Sequence, residues 1–210
     1  ADFSGYSDMA IGFSHLIGFN VTKNFNFPFF SQNIAEFCRK WHISLTAWFT
    51  EYVFTPLSIA FRDWGKAGLI LAIIINFTII GIWHGGNWTY VLFGFLHGCY
   101  FIPLILMGTV NRKRKNIKNG WLTFLANGIS VLATFTLVML TFIVFRAENI
   151  DQAIGYYKRL FTLSLFASPS NMPLDSYYPF IALFFIALML LSEWLHRDKE
   201  HGLQMGVKSG

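Results

Sequence analysis

Charge is scarce in this sequence. Only 13% of its 210 residues are Asp, Glu, Lys or Arg, against about 25% in a soluble domain. A soluble chain of this length wraps its core in polar surface, and here 54% of residues are hydrophobic, with Phe alone occurring 24 times. That balance excludes an ordinary soluble enzyme and points to a membrane protein. Cysteine is scarcer still. The two thiols, Cys38 and Cys99, form no CxxC pair and no His/Cys cluster with metal-ligand spacing, so they read as small apolar side chains. Three chemical signatures are also missing: a Gly-x-Ser-x-Gly nucleophile elbow, a glycine-rich phosphate loop and an HExxH pair. No metal site is expected. A secretory signal pattern is absent too, since Ala1 to Gly5 has neither a basic run nor an initiator Met. The chain opens on Asp2-Phe3-Ser4-Gly5-Tyr6-Ser7-Asp8, and the expectation is a fragment of a larger protein. No internal repeat or low-complexity tract is found.

What the sequence has in abundance is long apolar runs. Four are long enough to span a bilayer: 67–83, 88–108, 121–145 and 177–195. Asn76 and Thr78 interrupt the first and are expected to face neighbouring helices instead of lipid. His97 and Gly98 sit inside the second. Asn127, Ser130 and several threonines mark the third and predict interhelical polar contacts.

The formal charge of +5 is no sign of nucleic-acid binding, because most of the excess lies in one loop. Asn111-Arg112-Lys113-Arg114-Lys115-Asn116-Ile117-Lys118 carries five basic residues and no acid, which places it on the cytoplasmic side; a polybasic contact with membrane lipid would put it on the same side. By alternation, the turn at His84 and the mixed-charge 146–176 loop lie outside, and the tail from Glu193 lies inside. A cysteine placed at Asn116 is therefore expected to react with a non-permeant thiol reagent only after the membrane is opened. Labelling in intact cells would reverse the orientation.

The first 65 residues differ from the rest. Gly5 to Phe19 is apolar but short and glycine-broken, as in the end of a span or a re-entrant piece. Lys23 to Phe30 is an aromatic-rich loop containing Pro28. A helix is expected to start near Ser31 or Asn33. Ile34, Phe37, Cys38, Trp41, Leu45, Trp48, Phe49 and Tyr52 recur at three- and four-residue spacing, predicting one amphipathic helix that ends at Pro56. The predicted fold is thus an all-α membrane protein: a polytopic bundle of about four spans over 66–210, preceded by a re-entrant and amphipathic region over 1–65.

Three histidines lie near this bundle: His42, His84 and His97. An ionisable group at membrane depth is a functional candidate by default, and imidazole accepts and returns a proton near neutral pH. His84 stands out because Gly85 and Gly86 follow it and leave the backbone open to close approach. A helix-end histidine bonded to a carbonyl is the bland alternative. His42 follows Arg39, Lys40 and Trp41; the two cations suit an anionic group such as a phosphate, or they simply snorkel to the interface. His97 reads as a packing contact beside a glycine.

At these residues the chain resembles the membrane-bound O-acyltransferase family, and within it the bacterial alginate O-acetyltransferase branch. The matching stretches are Phe3 to Gly12, Phe37 to Trp48, Tyr52 to Leu57, Gly81-Ile82-Trp83-His84-Gly85, Trp88, Leu96-His97-Gly98, and Phe142 to Tyr157 with Phe145-Arg146-Ala147. The resemblance implies a multi-pass enzyme of the bacterial cytoplasmic (inner) membrane that moves an acyl group onto a hydroxyl. It implies His84 and then His42 as catalytic residues, with Arg39, Lys40, Trp41, Trp83 and Gly85 around the substrates. The expected donor is acetyl-CoA or another acyl thioester, with no bound cofactor. The expected acceptor is a polysaccharide such as alginate, or a periplasmic partner protein that carries the acetyl group onward. Two departures stand out: Lys40 replaces a frequent Arg, which loses the bidentate fork, and the chain is much shorter than is usual for the family. A teichoic-acid D-alanyl transferase is the alternative within the family. A proton-coupled transporter or flippase is the alternative outside it, although no inverted repeat is found.

Overall fold

The computed structural model describes residues 2–110, 120–162 and 178–195. Within them every regular element is helical: α1 (Asp2–Leu16), α2 (Ile34–Lys40), α3 (Ile43–Phe49), α4 (Thr55–Ala60), α5 (Gly65–His84), α6 (Trp88–Cys99), α7 (Ile102–Leu106), α8 (Gly120–Arg146), α9 (Ile150–Leu160) and α10 (Tyr178–Leu195). The chain divides into two compact units, residues 1–157 and 158–210. Among the described residues of the second unit are the last turn of α9 and all of α10. The basic loop over 112–118 lies outside the described residues, as do 163–176 of the 146–176 loop and the tail beyond Leu195.

Three helical stretches are long and apolar enough to cross a membrane: Arg62–His84, Trp88–Leu106 and Gly120–Arg146. They coincide with the first three expected spans. The fourth expected span falls on α10, whose described apolar stretch, Phe180–Leu195, is shorter than these. The second span is bent, because Tyr100 and Phe101 form a turn between α6 and α7 and Pro103 sits in the first turn of α7. A proline there costs no hydrogen bond, since the first amides of a helix have no intrahelical partner.

Helices α5 and α6 pack backbone to backbone. A Cβ added at Gly81 would overlap the carbonyl of Tyr90, one at Gly94 would overlap the carbonyl of Phe77, and one at Gly98 would come within 2.8 Å of the Ile74 Cα. Gly94 and Gly98 are four apart on one face of α6, the small-xxx-small arrangement that lets membrane helices approach closely. Lipid tails are as apolar as leucine, so this contact relies on close packing in place of water exclusion.

The expected single amphipathic helix is in fact broken. It starts where predicted: the Asn33 side chain accepts from the Glu36 amide at 2.8 Å, and Glu36 Oε2 accepts from the Gln32 amide at 2.9 Å. It stops after Lys40, because His42 takes a left-handed conformation, φ 46° and ψ 59°, before α3 begins. Nor does Pro56 end the run. It sits in the first turn of α4, behind a wide π turn at Thr50–Phe54, where the Thr55 amide donates to the Thr50 carbonyl five residues back. The extra residue gives the proline ring the room that a regular α turn denies it.

The stretch from Gly5 falls on a regular helix, α1, which ends at Leu16 and is closed by Gly18. That residue sits at φ +82°, so the Gly18 and Phe19 amides reach the carbonyls of His15 and Ser14. Its buried positions are Ser7, Ile11 and Ser14, while Tyr6, Met9, Phe13 and Leu16 are exposed. Two serines turned inward beside Ile11, with large apolar residues outward, is the reverse of a soluble helix.

Polar residues within the spans are resolved in two ways. Asn76 is buried in α5, and its Oδ1 has no hydrogen-bond partner among the described residues. The α8 hydroxyls mostly bond back to their own helix: Ser130 donates to Ala126, Thr134 to Ser130 and Thr141 to Leu137. Thr141 also reaches another segment, at 3.0 Å from the Tyr100 hydroxyl. The expected interhelical contact is made by Thr141, while the bonds back along α8 follow because a serine or threonine inside a helix has the carbonyl four residues back within reach.

The core that holds these parts together joins Ile34, Phe37 and Cys38 of α2 to Ile73 of α5, Phe101 and Ile105 by the bend, and Val138 of α8. It fixes α2 against the middle of α5, and so sets where the α2–α3 break falls.

Candidate active site

The break at His42 is a built feature. Non-glycine residues rarely adopt left-handed angles, at a cost of about 1–3 kcal/mol. Here the preceding loop over-determines them. The Asn26 amide donates to the Lys40 carbonyl and the Ile43 amide donates to the Asn24 carbonyl, both at 3.0 Å. Asn24 Oδ1 accepts from the Ser44 amide at 3.1 Å and from its hydroxyl at 2.6 Å. The result turns His42 out of the α2 register and into a pocket.

That pocket has a volume of about 50 Å³ and takes its walls from α2, α3, α5, α6 and α8, room for roughly one or two water-sized groups. Trp41, His42, His84 and His97 all line it, together with aromatic residues that include Phe93 and Phe142. His84 closes α5. Phe145 meets its ring edge-on at 5.1 Å and Phe93 does so at 6.1 Å, with Trp83 at 4.9 Å. His42 meets Phe3 at 4.6 Å and Trp83 at 6.1 Å, so Trp83 touches both imidazoles. Burial, and then the charge of His84, hold His42 below the ordinary imidazole pKa. His42 is therefore neutral at pH 7, with one ring nitrogen open as an acceptor. Cys38 lines the same pocket. Burial pushes its thiol up to about 12, against the pull of Arg39, and a thiol that stays protonated is no nucleophile.

His97 is almost wholly buried, donates from Nδ1 to the Phe93 carbonyl at 3.2 Å, and lies 4.5 Å from the Phe93 ring. Its surroundings are those of a packed polar residue, yet its ring forms part of the pocket wall.

Gly85 does not line the pocket; it shapes the turn beyond it. Its φ is +156°, its amide donates to the Ile82 carbonyl at 3.1 Å, and a Cβ there would sit 2.7 Å from the Tyr90 ring. Tyr90 in turn packs on Phe145 at 5.0 Å, so the glycine keeps in place an aromatic that backs His84. Asn87 completes the turn. Its Oδ1 accepts from the Thr89 amide at 3.3 Å and its Nδ2 donates to the Glu148 carbonyl at 2.6 Å, tying the start of α6 to the end of α8.

Of the expected substrate residues, Trp41 lines the pocket, whereas Arg39 and Lys40 do not. Arg39 is exposed. Lys40 is held by Glu36 at 2.7 Å, so its charge is already partly answered. Phe145, Tyr90, Phe3 and Asn24 were not singled out from the sequence as site residues. Phe145 carried the strongest signal, standing in one of the motif stretches, but nothing in a lone phenylalanine indicates which ring it will meet.

Residues 1–145 match the sequence model of MBOAT, the membrane-bound O-acyltransferase family. The chain is 37% identical over 165 residues to a probable alginate O-acetylase of Azotobacter vinelandii, covering 77% of this chain and 30% of that protein. It is 33% identical over 170 residues to a peptidoglycan O-acetyltransferase of Helicobacter pylori, covering 78% and 29%. It is 34% identical over 163 residues to a teichoic acid D-alanyltransferase of Streptococcus thermophilus, covering 69% and 37%. The chain thus spans roughly a third of the length of these relatives.

Proposed function

Since the chain belongs to the membrane-bound O-acyltransferase family, we propose that it carries the reaction centre of a multi-pass O-acetyltransferase of the bacterial inner membrane. The enzyme moves an acetyl group from a cytoplasmic thioester, acetyl-CoA or a similar donor, toward hydroxyls of an extracytoplasmic polysaccharide such as alginate. The observation that carries this reading is the position of His84. It ends a membrane-spanning helix, faces a narrow aromatic pocket and precedes a glycine turn.

His84 acts as general base. It takes the proton from the acceptor hydroxyl as that oxygen attacks the thioester carbonyl. The tetrahedral carbon then expels the thiolate, which receives the proton back from the imidazolium. Proton, acyl group and leaving group balance with no external oxidant or metal. His42, neutral and held across the pocket, orients the reacting groups, and Trp83 spaces the two imidazoles. The dry aromatic wall strengthens the electrostatics of the charge-separated transition state and keeps water from taking the acyl group.

Arg39 draws in the anionic part of the donor, because Lys40 is occupied by Glu36. Arg39→Ala is expected to raise the apparent KM for the thioester more than it lowers kcat, and Lys40→Ala to do less. Steady-state kinetics with varied donor test this; an unchanged KM in Arg39→Ala removes the role. The likeness to the D-alanyltransferase favours a second reading with the same chemistry and a different acyl group. Comparing acetyl and D-alanyl thioesters as donors separates the two.

A further inference from the structure

The two short helices on either side of His42 are capped in different ways. At the start of α2, Asn33 is extended, φ −158° and ψ 165°, and its own side chain accepts from the Glu36 amide. That is the ordinary arrangement, in which the residue before a helix satisfies an amide of the first turn with its side-chain oxygen. At the start of α3 the same position is His42, which is left-handed and makes no capping bond from its side chain. The amide of Ser44, two residues on, is bonded instead by Asn24 Oδ1, from a loop 20 residues away, at 3.1 Å.

The loop grips the same turn at other points. Asn24 Oδ1 also accepts from the Ser44 hydroxyl at 2.6 Å. On the main chain, the Asn24 carbonyl accepts from the Ile43 amide and the Asn26 amide donates to the Lys40 carbonyl, so the loop bridges the turn from both sides of His42. The rings do likewise. Phe25 meets Trp41 at 5.1 Å and Phe3 at 5.1 Å, and Phe3 meets His42 edge-on at 4.6 Å. Residues 24–26 therefore hold the backbone on each side of His42 and, through Phe3, its ring. Asn24 itself does not line the histidine pocket.

A neutral imidazole is itself a hydrogen-bond acceptor, and the first amides of a helix have no partner within it. Without Asn24, the open amides of α3 compete for the His42 ring. A ring drawn back to cap its own helix leaves the pocket that it shares with His84. We propose that Asn24 is a positioning residue for acyl transfer: it caps α3 in place of His42, which keeps the His42 side chain on the pocket wall. The inference rests on the acyl-transfer reading, in which His42 orients the reacting groups, and adds a residue outside the pocket that acts through it. A displacement of about 1 Å at a reacting group can cost about 10²-fold in rate, so the effect is expected in kcat and not in the KM for the donor.

The test is a double-mutant cycle with the purified protein in lipid nanodiscs. Asn24→Ala is expected to lower kcat about tenfold, with KM for the thioester within about twofold of wild type. Asn24→Asp, which keeps the acceptor oxygen, recovers most of that loss. In a His42→Ala background, Asn24→Ala is expected to cost less than about twofold more, because the ring it positions is gone. Ser44→Ala removes only the 2.6 Å bond, from an exposed side chain. It is expected to lower kcat by a smaller factor with the melting temperature unchanged, and it takes the place of Asn24→Ala in the cycle should that variant fail to fold. Diethyl pyrocarbonate labelling of His42, read by peptide mass spectrometry, reports the placement of the ring without turnover and is expected to quicken in Asn24→Ala. A wild-type kcat in Asn24→Ala, an equal fractional loss in both backgrounds, or unchanged labelling of His42 overturns the proposal. The acyl-transfer reading survives each of those results. It fails separately, if His84→Ala transfers acyl groups at the wild-type rate.

Discussion

His84→Ala is expected to abolish acyl transfer while the protein still inserts and accumulates normally. A positioned general base contributes about 10²–10⁴-fold in rate, and neither Cys38 nor His97 replaces it. Cys38 is a protonated thiol, and His97 is almost wholly buried with Nδ1 bonded to its own helix. The structural cost is small. His84 is half-buried at the last position of α5; the Gly85 amide makes the helix stop and the Asn87 cap starts α6, and the substitution leaves both alone. His97→Ala is expected to show the opposite balance, with more stability lost than activity, because its ring is packed against Phe93 and Phe77. His42→Ala falls between them. O-acetyl content of the product polymer, normalised to protein in the membrane, ranks the three.

Gly94→Val is expected to prevent assembly of the bundle. Each added methyl group must displace backbone, since a Cβ at this position overlaps the Phe77 carbonyl and comes within 3.1 Å of the Gly81 Cα. Overpacking that side chains can absorb costs about 1–3 kcal/mol. Here the obstructing atoms are main chain of α5, so the loss exceeds that range and α5 separates from α6. Because α5 carries His84 and α6 carries Phe93 and His97, activity disappears along with folded protein. Gly128→Ala is the control: it lies in α8 with nothing within 4 Å of the added carbon. Thermal melting in detergent separates the two, with Gly94→Val giving little or no cooperative transition and Gly128→Ala matching wild type.

The spans were legible because a bilayer imposes a length and a composition on any helix that crosses it. The glycines of α6 were partly legible: Gly98 beside His97 signalled close approach, while Gly81 and Gly94 gained their meaning only when the two helices were placed together. The break at His42 was not legible. The three- and four-residue spacing runs unbroken from Ile34 to Tyr52, and the hydrogen bonds that interrupt it come from Asn24 and Asn26, on a loop whose register no local pattern reveals. Pro56 misled for a related reason, since the usual stop signal is absorbed by a π turn just before it. At the site, His84 and His42 stood out as ionisable groups in apolar sequence. Their aromatic walls did not, because among 24 phenylalanines no single one is distinctive until the fold selects it.

The most direct test of the central claim is thiol release from the thioester donor by purified wild-type protein and His84→Gln, with and without acceptor. Glutamine keeps a polar side chain at the end of α5 but cannot carry a proton between oxygen and sulfur. Acceptor-dependent thiol release is expected to fall in His84→Gln by about two orders of magnitude or more, with donor binding unchanged. Acceptor-dependent release within tenfold of wild type would contradict it, and would leave His84 as a helix-end residue with no part in the chemistry.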